Sequence, residues 1–179
     1  MTPRLPVVVV TGSECTGKST LAAELAERFG TVASVEFVRG YLDCKGRDLD
    51  ASDVEAIARG QLASEDDAAA RASNVLIKDT DLISTVVYAA HYYGNCPQWV
   101  ERAARARIAD VYLLLHPDVP WVSDGQRDRP HNRGEMHRLF RDRLDAWHAP
   151  VVDVKGNWDV RRATAFAAVE QLLQREQRT

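Results

Sequence analysis

The sequence predicts a doubly wound α/β fold, a five-stranded parallel sheet with helices on both faces. Three observations carry this. Five short apolar runs recur along the 179 residues. Stretches of helical periodicity separate them. The first run passes through a glycine-punctuated turn directly into one of those stretches. The runs are Val7–Thr11, Val32–Phe37, Val75–Asp79, Val111–Leu115 and Val151–Val154, all rich in β-branched residues or leucine. None alternates cleanly with polar residues, as expected of parallel strands buried on both faces.

Between the runs, helices are predicted in order. Lys18–Phe29 places Leu21, Leu25 and Phe29 at i, i+4 and i+8, one apolar stripe of a helix. Ser52–Ser73 is long and alanine-rich. Leu82–Tyr93 and Pro97–Ile108 follow, divided by Gly94, and Glu135–Trp147 and Val160–Arg175 complete the set. Strand–helix alternation of this kind gives parallel sheets with crossover helices. No repeat or linker divides the chain, so residues 1–179 are expected to form one domain. Ligands of such sheets sit beyond the carboxyl ends of the strands. The residues just after each run therefore carry the functional reading.

Composition bounds that reading. Hydrophobic residues make up 45%, charged residues 27%, and the formal net charge is −3. No overall basic field is present, so neither nucleic acid nor anionic membrane is an expected partner. The longest apolar run is strand-sized, far below the roughly 20 residues of a membrane span. The polar turn after it leaves no room for a leader cleavage site, so a cytoplasmic protein is expected. Cys15, Cys44 and Cys96 are odd in number and widely spaced, against a disulfide framework or a zinc site. None of the five histidines falls in a metal-ligand spacing.

After the first run, Gly12-Ser13-Glu14-Cys15-Thr16-Gly17-Lys18-Ser19 fits G-x-x-x-x-G-K-[ST] at every fixed position, with strand before and helix after. Glycines let the backbone wrap so that N–H groups point inward at phosphate oxygens, and the helix N-terminus adds its positive end. Lys18 is expected at the β/γ-phosphates and the Ser19 hydroxyl on Mg²⁺, with Thr20 beside it. A nucleoside triphosphate, ATP, with Mg²⁺ is the expected ligand; a chance glycine turn is the alternative. Cys15 is read as a small loop residue, a redox role being the alternative.

The other strand ends supply the remaining candidates. Glu36 and Arg39, with Tyr41, follow the second run; the carboxylate could take a hydroxyl proton and the arginine hold phosphate or substrate, or the two form a surface ion pair. The third run closes on Asp79-Thr80-Asp81, where a Mg²⁺ carboxylate is expected, although Asp81 could instead cap the next helix. Between about 118 and 134 lies a polar segment predicted to be a lid, with Arg127, Arg129 and Arg133 placed to close over a triphosphate. Trp121 in it is a core plug or a stacking platform, and Asp124 lies just beyond. After the fifth run, Asn157 and Trp158 contact adenine or merely pack. Tyr88, His91 and Tyr92 share a helix face, more typical of core than of pocket.

Taken together these motifs resemble the ribosylnicotinamide kinase domain of the bacterial bifunctional NadR family. That pattern runs G-x-E-S-x-G-K-S, E-[YF]-x-R, D-T-D and W-V-x-D-G-x-R. Here it is matched by Gly12–Ser19 with Cys15-Thr16 in the loop, Glu36-Phe37-Val38-Arg39, Asp79-Thr80-Asp81 and Trp121–Arg127. The resemblance spans about residues 6 to 175. It implies a P-loop kinase-like fold with an arginine-rich lid, and transfer of a phosphoryl group from ATP to the 5′-hydroxyl of nicotinamide riboside. It also implies an aromatic sandwich around the base to which Trp121 contributes, with Tyr88, Tyr92, Asp81 and Asp124 as further candidates. Phe37 stands where tyrosine is frequent. Glu36 is the first choice of general base and Asp79 the second, with Arg127 stabilising charge in transfer. The nucleotidyltransferase and DNA-binding parts of that family are not expected here, since no H-x-G-H-type signature occurs. A kinase of another nucleoside or nucleotide, or a slowly hydrolysing P-loop switch, are the competing readings.

Overall fold

The computed structural model describes residues 4–120 and 132–178. Five parallel strands lie in the order β2-β3-β1-β4-β5: β1 Val7–Gly12, β2 Ala33–Ser34, β3 Leu76–Asp79, β4 Val111–Leu115 and β5 Val151–Val154. Helices connect them: α1 Lys18–Arg28, α2 Phe37–Lys45, α3 Val54–Arg71, α4 Leu82–Tyr93, α5 Gln98–Ala106, α6 Arg133–Ala146 and α7 Trp158–Glu176. The fold is the doubly wound parallel α/β sheet that the apolar runs predict.

Successive strand residues point to opposite faces, and β1 shows what that does. Val9 enters a core under α3, α4, α5 and α6 with Leu82, Val86, Tyr112 and Phe140. Val8 and Val10 enter the other core, under α1 and α7, with Leu21, Leu25, Ile77 and Val169. A strand apolar at every position is thereby buried on both sides. From β1 the chain moves one way for β2 and β3 and the other for β4 and β5. The carboxyl end of β1 is the reversal point where such sheets bind ligands.

The second run departs from expectation. Only Ala33 and Ser34 pair with β3, opposite Ile77 and Lys78. At Val35 the Ser64 hydroxyl takes both backbone groups, accepting from the N–H at 3.2 Å and donating to the carbonyl at 3.0 Å. The ladder ends there, and Val35 stands 71% exposed. The chain then turns into α2, a helix the apolar composition concealed. Its Phe37 ring lies on Gly60 of α3, where an added Cβ would meet the ring at 2.2 Å. Beneath, Lys78 and Glu65 form a buried ion pair at 2.6 Å that ties α3 to β3.

No helix among the described residues is long and apolar enough to cross a membrane.

Candidate active site

The phosphate loop runs from the end of β1 into α1. Gly12 (φ 131°) lies against β4, where a Cβ would come 2.7 Å from the Leu115 carbonyl oxygen. Gly17 (φ 88°) lies under the Trp158 ring, 2.8 Å from where its Cβ would stand. Both torsions belong to the region open to glycine, and Cys15 shares it at φ 52°. Lys18 is 6% exposed and arches back to donate its ammonium to the Ser13 carbonyl at 2.9 Å. Thr16 Oγ1 donates to the same carbonyl at 3.0 Å. No acidic residue occupies the first turn of α1, so its positive end faces the loop uncompensated. The loop encloses a hollow of about 210 Å³ lined by Cys15 to Thr20 and by Arg39.

A second cavity of about 630 Å³ adjoins it. Lys18 and Arg39 line both. Glu14, Glu36, Asp81, Tyr88 and Tyr92 contribute to its walls, together with apolar Val38, Leu42, Val54 and Ile57. Glu14, part of the phosphate-loop motif, also faces this larger space. Glu36 precedes α2 in extended conformation and accepts a hydrogen bond from Arg39 Nε. The two form the ion pair offered above as the alternative reading, Glu36 lining the larger cavity and Arg39 lining both.

Asp79 ends β3 beside Val10 and is 5% exposed. Burial, and next the negative charge of Glu36, raise its pKa above the usual carboxylate range, against a hydrogen bond from Ser19. Its Oδ1 has no hydrogen-bond partner. A buried carboxylate oxygen without a donor, beside a hydroxyl at a phosphate loop, is a hard-oxygen pair suited to Mg²⁺. Thr80 follows at φ 63°, a torsion that costs a β-branched residue of order 1–3 kcal/mol. Asp81 caps α4, accepting from Ile83 N at 2.9 Å, and also accepts from the Tyr112 hydroxyl at 2.8 Å. Burial first, then the nearby Glu65 charge, raise its pKa.

The aromatic face of α4 is divided between core and cavity. Tyr88 meets Phe140 edge-on at 5.8 Å and stacks with Tyr92 at 6.0 Å, and both line the larger cavity. Desolvation, then the charges of Glu14 and Glu36, push the Tyr88 phenol up. Tyr41 does not line this cavity: its hydroxyl donates to buried Asp53 at 2.9 Å. Asn157 caps α7, accepting from Val160 N at 3.0 Å. Trp158 packs on Gly17 and donates to Glu24 at 3.1 Å. Arg133 opens α6 and donates to the Val119 carbonyl at 2.9 Å, joining the two stems of the expected lid. Trp121, Asp124, Arg127 and Arg129 lie outside the described residues.

Three arrangements were hidden from sequence because their members are far apart in it. Gln61 of α3 accepts from Phe37 N at 3.1 Å and reaches the Thr80 carbonyl at 3.5 Å, bridging the chain just after Glu36 and just after Asp79. Arg161 lies buried beneath the loop. His116, His137 and Asp153 cluster after β4, on α6 and in β5, their ligating atoms within 4.8 Å of one another. Asp153 already pairs there with His116 and Arg141.

Comparison with known proteins agrees with this geometry. A family model described as an AAA domain matches residues 7–161. The trifunctional NAD biosynthesis/regulator protein NadR of Escherichia coli is 35% identical over 173 residues, 93% of this chain and 42% of that protein. The chain thus spans less than half the length of this relative. A crystal structure of NadR protein in complex with NR superposes with a TM-score of 0.79 at 26% identity, covering 94% of this chain and 51% of that one. Another, in complex with NAD and AMP-PNP, gives 0.75 at 24% identity over 94% and 49% of the two chains.

Proposed function

The chain belongs to the AAA domain family, and from that membership and its likeness to NadR we propose that it is an ATP-dependent kinase converting nicotinamide riboside to nicotinamide mononucleotide. The observation that carries the reading is that two cavities meet at Lys18 and Arg39. One is shaped by a phosphate loop. The other is large enough for a nucleoside and carries a carboxylate, Glu36, at the junction.

The chemistry follows from that junction. The acceptor 5′-hydroxyl oxygen bonds to the γ-phosphorus, the bond from that phosphorus to the β,γ-bridging oxygen breaks, and ADP leaves. Glu36 takes the hydroxyl proton. Lys18 compensates charge moving onto the β-phosphate, and the loop N–H groups hold the phosphates in line. Arg39 holds Glu36 and faces the transferred group. Ser19 and Asp79 would hold Mg²⁺, which when bound draws charge from the β- and γ-oxygens. The base of nicotinamide riboside carries a fixed positive charge. Carboxylates at Glu14 and Glu36 and the faces of Tyr88 and Tyr92 suit a cation of that kind. Trp121 and Asp124 are assigned to the same base, and Arg127, Arg129 and Arg133 to a lid over about 118–134 that excludes water. We further read the chain as one nucleoside kinase domain acting in the cytoplasm.

A panel of nucleosides incubated with ATP and Mg²⁺, scored by ADP release and product mass, tests this. Nicotinamide riboside is expected to give the fastest turnover. Phosphorylation of a different nucleoside with none of nicotinamide riboside would remove the substrate assignment. Equal ADP release with and without acceptor would replace the kinase by a hydrolase.

A further inference from the structure

We propose that Arg161 is a positioning residue for nucleotide binding, a buried clamp that fixes the phosphate loop, the β5–α7 turn and the segment after β4 relative to one another. The proposal rests on the reading of Gly12–Ser19 as a nucleotide site. Arg161 is fully buried, yet it lines neither cavity. Its guanidinium is spent on backbone. Nε donates to the Gly156 carbonyl at 2.8 Å, one terminal nitrogen to the Thr16 carbonyl at 3.1 Å, and the other to the His116 carbonyl at 2.8 Å. That last nitrogen also pairs with Asp118. Asp118 closes the ring by accepting from Gly156 N at 2.7 Å.

Burying a charge costs several kcal/mol, and a salt bridge recovers that only when its remaining donors are satisfied. An arginine whose fork joins three loops, and no strand or helix interior, is a poor choice for stability alone. It is well suited to orientation. The carbonyl and N–H flanking a trans peptide point in opposite directions. Fixing the Thr16 carbonyl toward Arg161 therefore turns the Gly17 N–H the other way, into the phosphate hollow. The same β5–α7 turn presses Trp158 onto Gly17, so the loop is held at two successive residues from one side. His116 and Asp118 bring the segment that enters the lid region under the same control. A lysine has the charge but no planar fork, and cannot serve four acceptors at once.

The test uses the full chain. Arg161→Lys is titrated with Mg²⁺ and AMP-PNP by calorimetry, alongside melting temperature and both Michaelis constants. Nucleotide binding is expected to weaken by about tenfold or more (1.4 kcal/mol per factor of ten). The constant for nicotinamide riboside at saturating ATP should stay within about threefold, as the selectivity of a positioning role requires. Asp118→Asn keeps the three carbonyl bonds and should weaken AMP-PNP by about two- to fivefold; because it also removes the counter-charge of a buried guanidinium, a lower melting temperature is expected with it. Weakening of both substrates alike, in step with lost stability, would make Arg161 a structural residue only. If Arg161→Lys does not fold, an unchanged AMP-PNP affinity in Asp118→Asn overturns the proposal. A wild type that binds AMP-PNP but phosphorylates no nicotinamide riboside would remove the acceptor and leave the Arg161 result standing; one that binds no AMP-PNP would sink the nucleotide site itself.

Discussion

Arg39 Nε donates to Glu36 Oε2 across 2.8 Å, so the carboxylate we assign as proton acceptor is held by a cation that also lines the phosphate hollow. Glu36→Gln keeps the shape and loses the base. Its catalytic rate should fall roughly 10²–10⁴-fold, while AMP-PNP affinity changes by no more than a factor of a few. A rate within threefold of wild type would assign the proton to another group.

Asp79 gives a prediction with a defined sign. Its pKa is raised in the folded chain, chiefly by burial and then by Glu36. The folded state thus binds that proton more tightly than the unfolded chain does. The stability this carries is full below the ordinary carboxylate range and is lost as pH rises through the raised value. Asp79→Asn should therefore raise the melting temperature of the ligand-free chain at pH 7.5 by a few degrees, with the gap closing toward pH 4. The same variant should need more Mg²⁺ for half-maximal rate. A lower melting temperature at pH 7.5 would contradict the assigned cost of that buried charge.

Lys18 donates its ammonium to a carbonyl of its own loop, Ser13, and its charge also favours the buried Asp79 carboxylate. Lys18→Ala should abolish turnover and leave thermal unfolding cooperative and within a few degrees of wild type. Activity near wild type in a folded mutant would mean that transfer happens elsewhere.

Gly17 is constrained by its torsion and by the Trp158 ring, which the Glu24 bond holds in place. Gly17→Ala should cost about 1–3 kcal/mol, and about 2–4 °C per kcal/mol in a chain of this size. In Trp158→Leu the clash is removed, so the double variant should lose less than the two single losses added together. Strict additivity would show that torsion alone sets the cost.

What the sequence made legible was local. β1, the loop and α1 are contiguous, so their pattern and chemistry lie within one window, and Asp79 stands out because it closes an apolar run. The α2 helix is not legible in that way. Val35 and Phe37 read as strand by composition, and what ends the strand is a Ser64 hydroxyl 29 residues further on. Phe37, Tyr41 and Lys45 at helical spacing, with Gly46 left-handed at the C-cap, were the signal available. Gln61 and Arg161 bind backbone groups from distant segments, and backbone carbonyls leave no trace in a sequence.

Gly12 opens the phosphate signature, yet the atom that forbids a side chain there is the Leu115 carbonyl oxygen of the neighbouring strand. The signature is a composite message: its first letter is dictated by the sheet, its lysine by the chemistry. The two should decay at different rates in descendants that abandon catalysis. Such a lineage would keep the glycine, because losing it deforms the sheet, and would shed the lysine, because no strand or helix packing is built on it. Presence of the first letter alone then says that a chain still folds this way, and only the lysine reports that it still works.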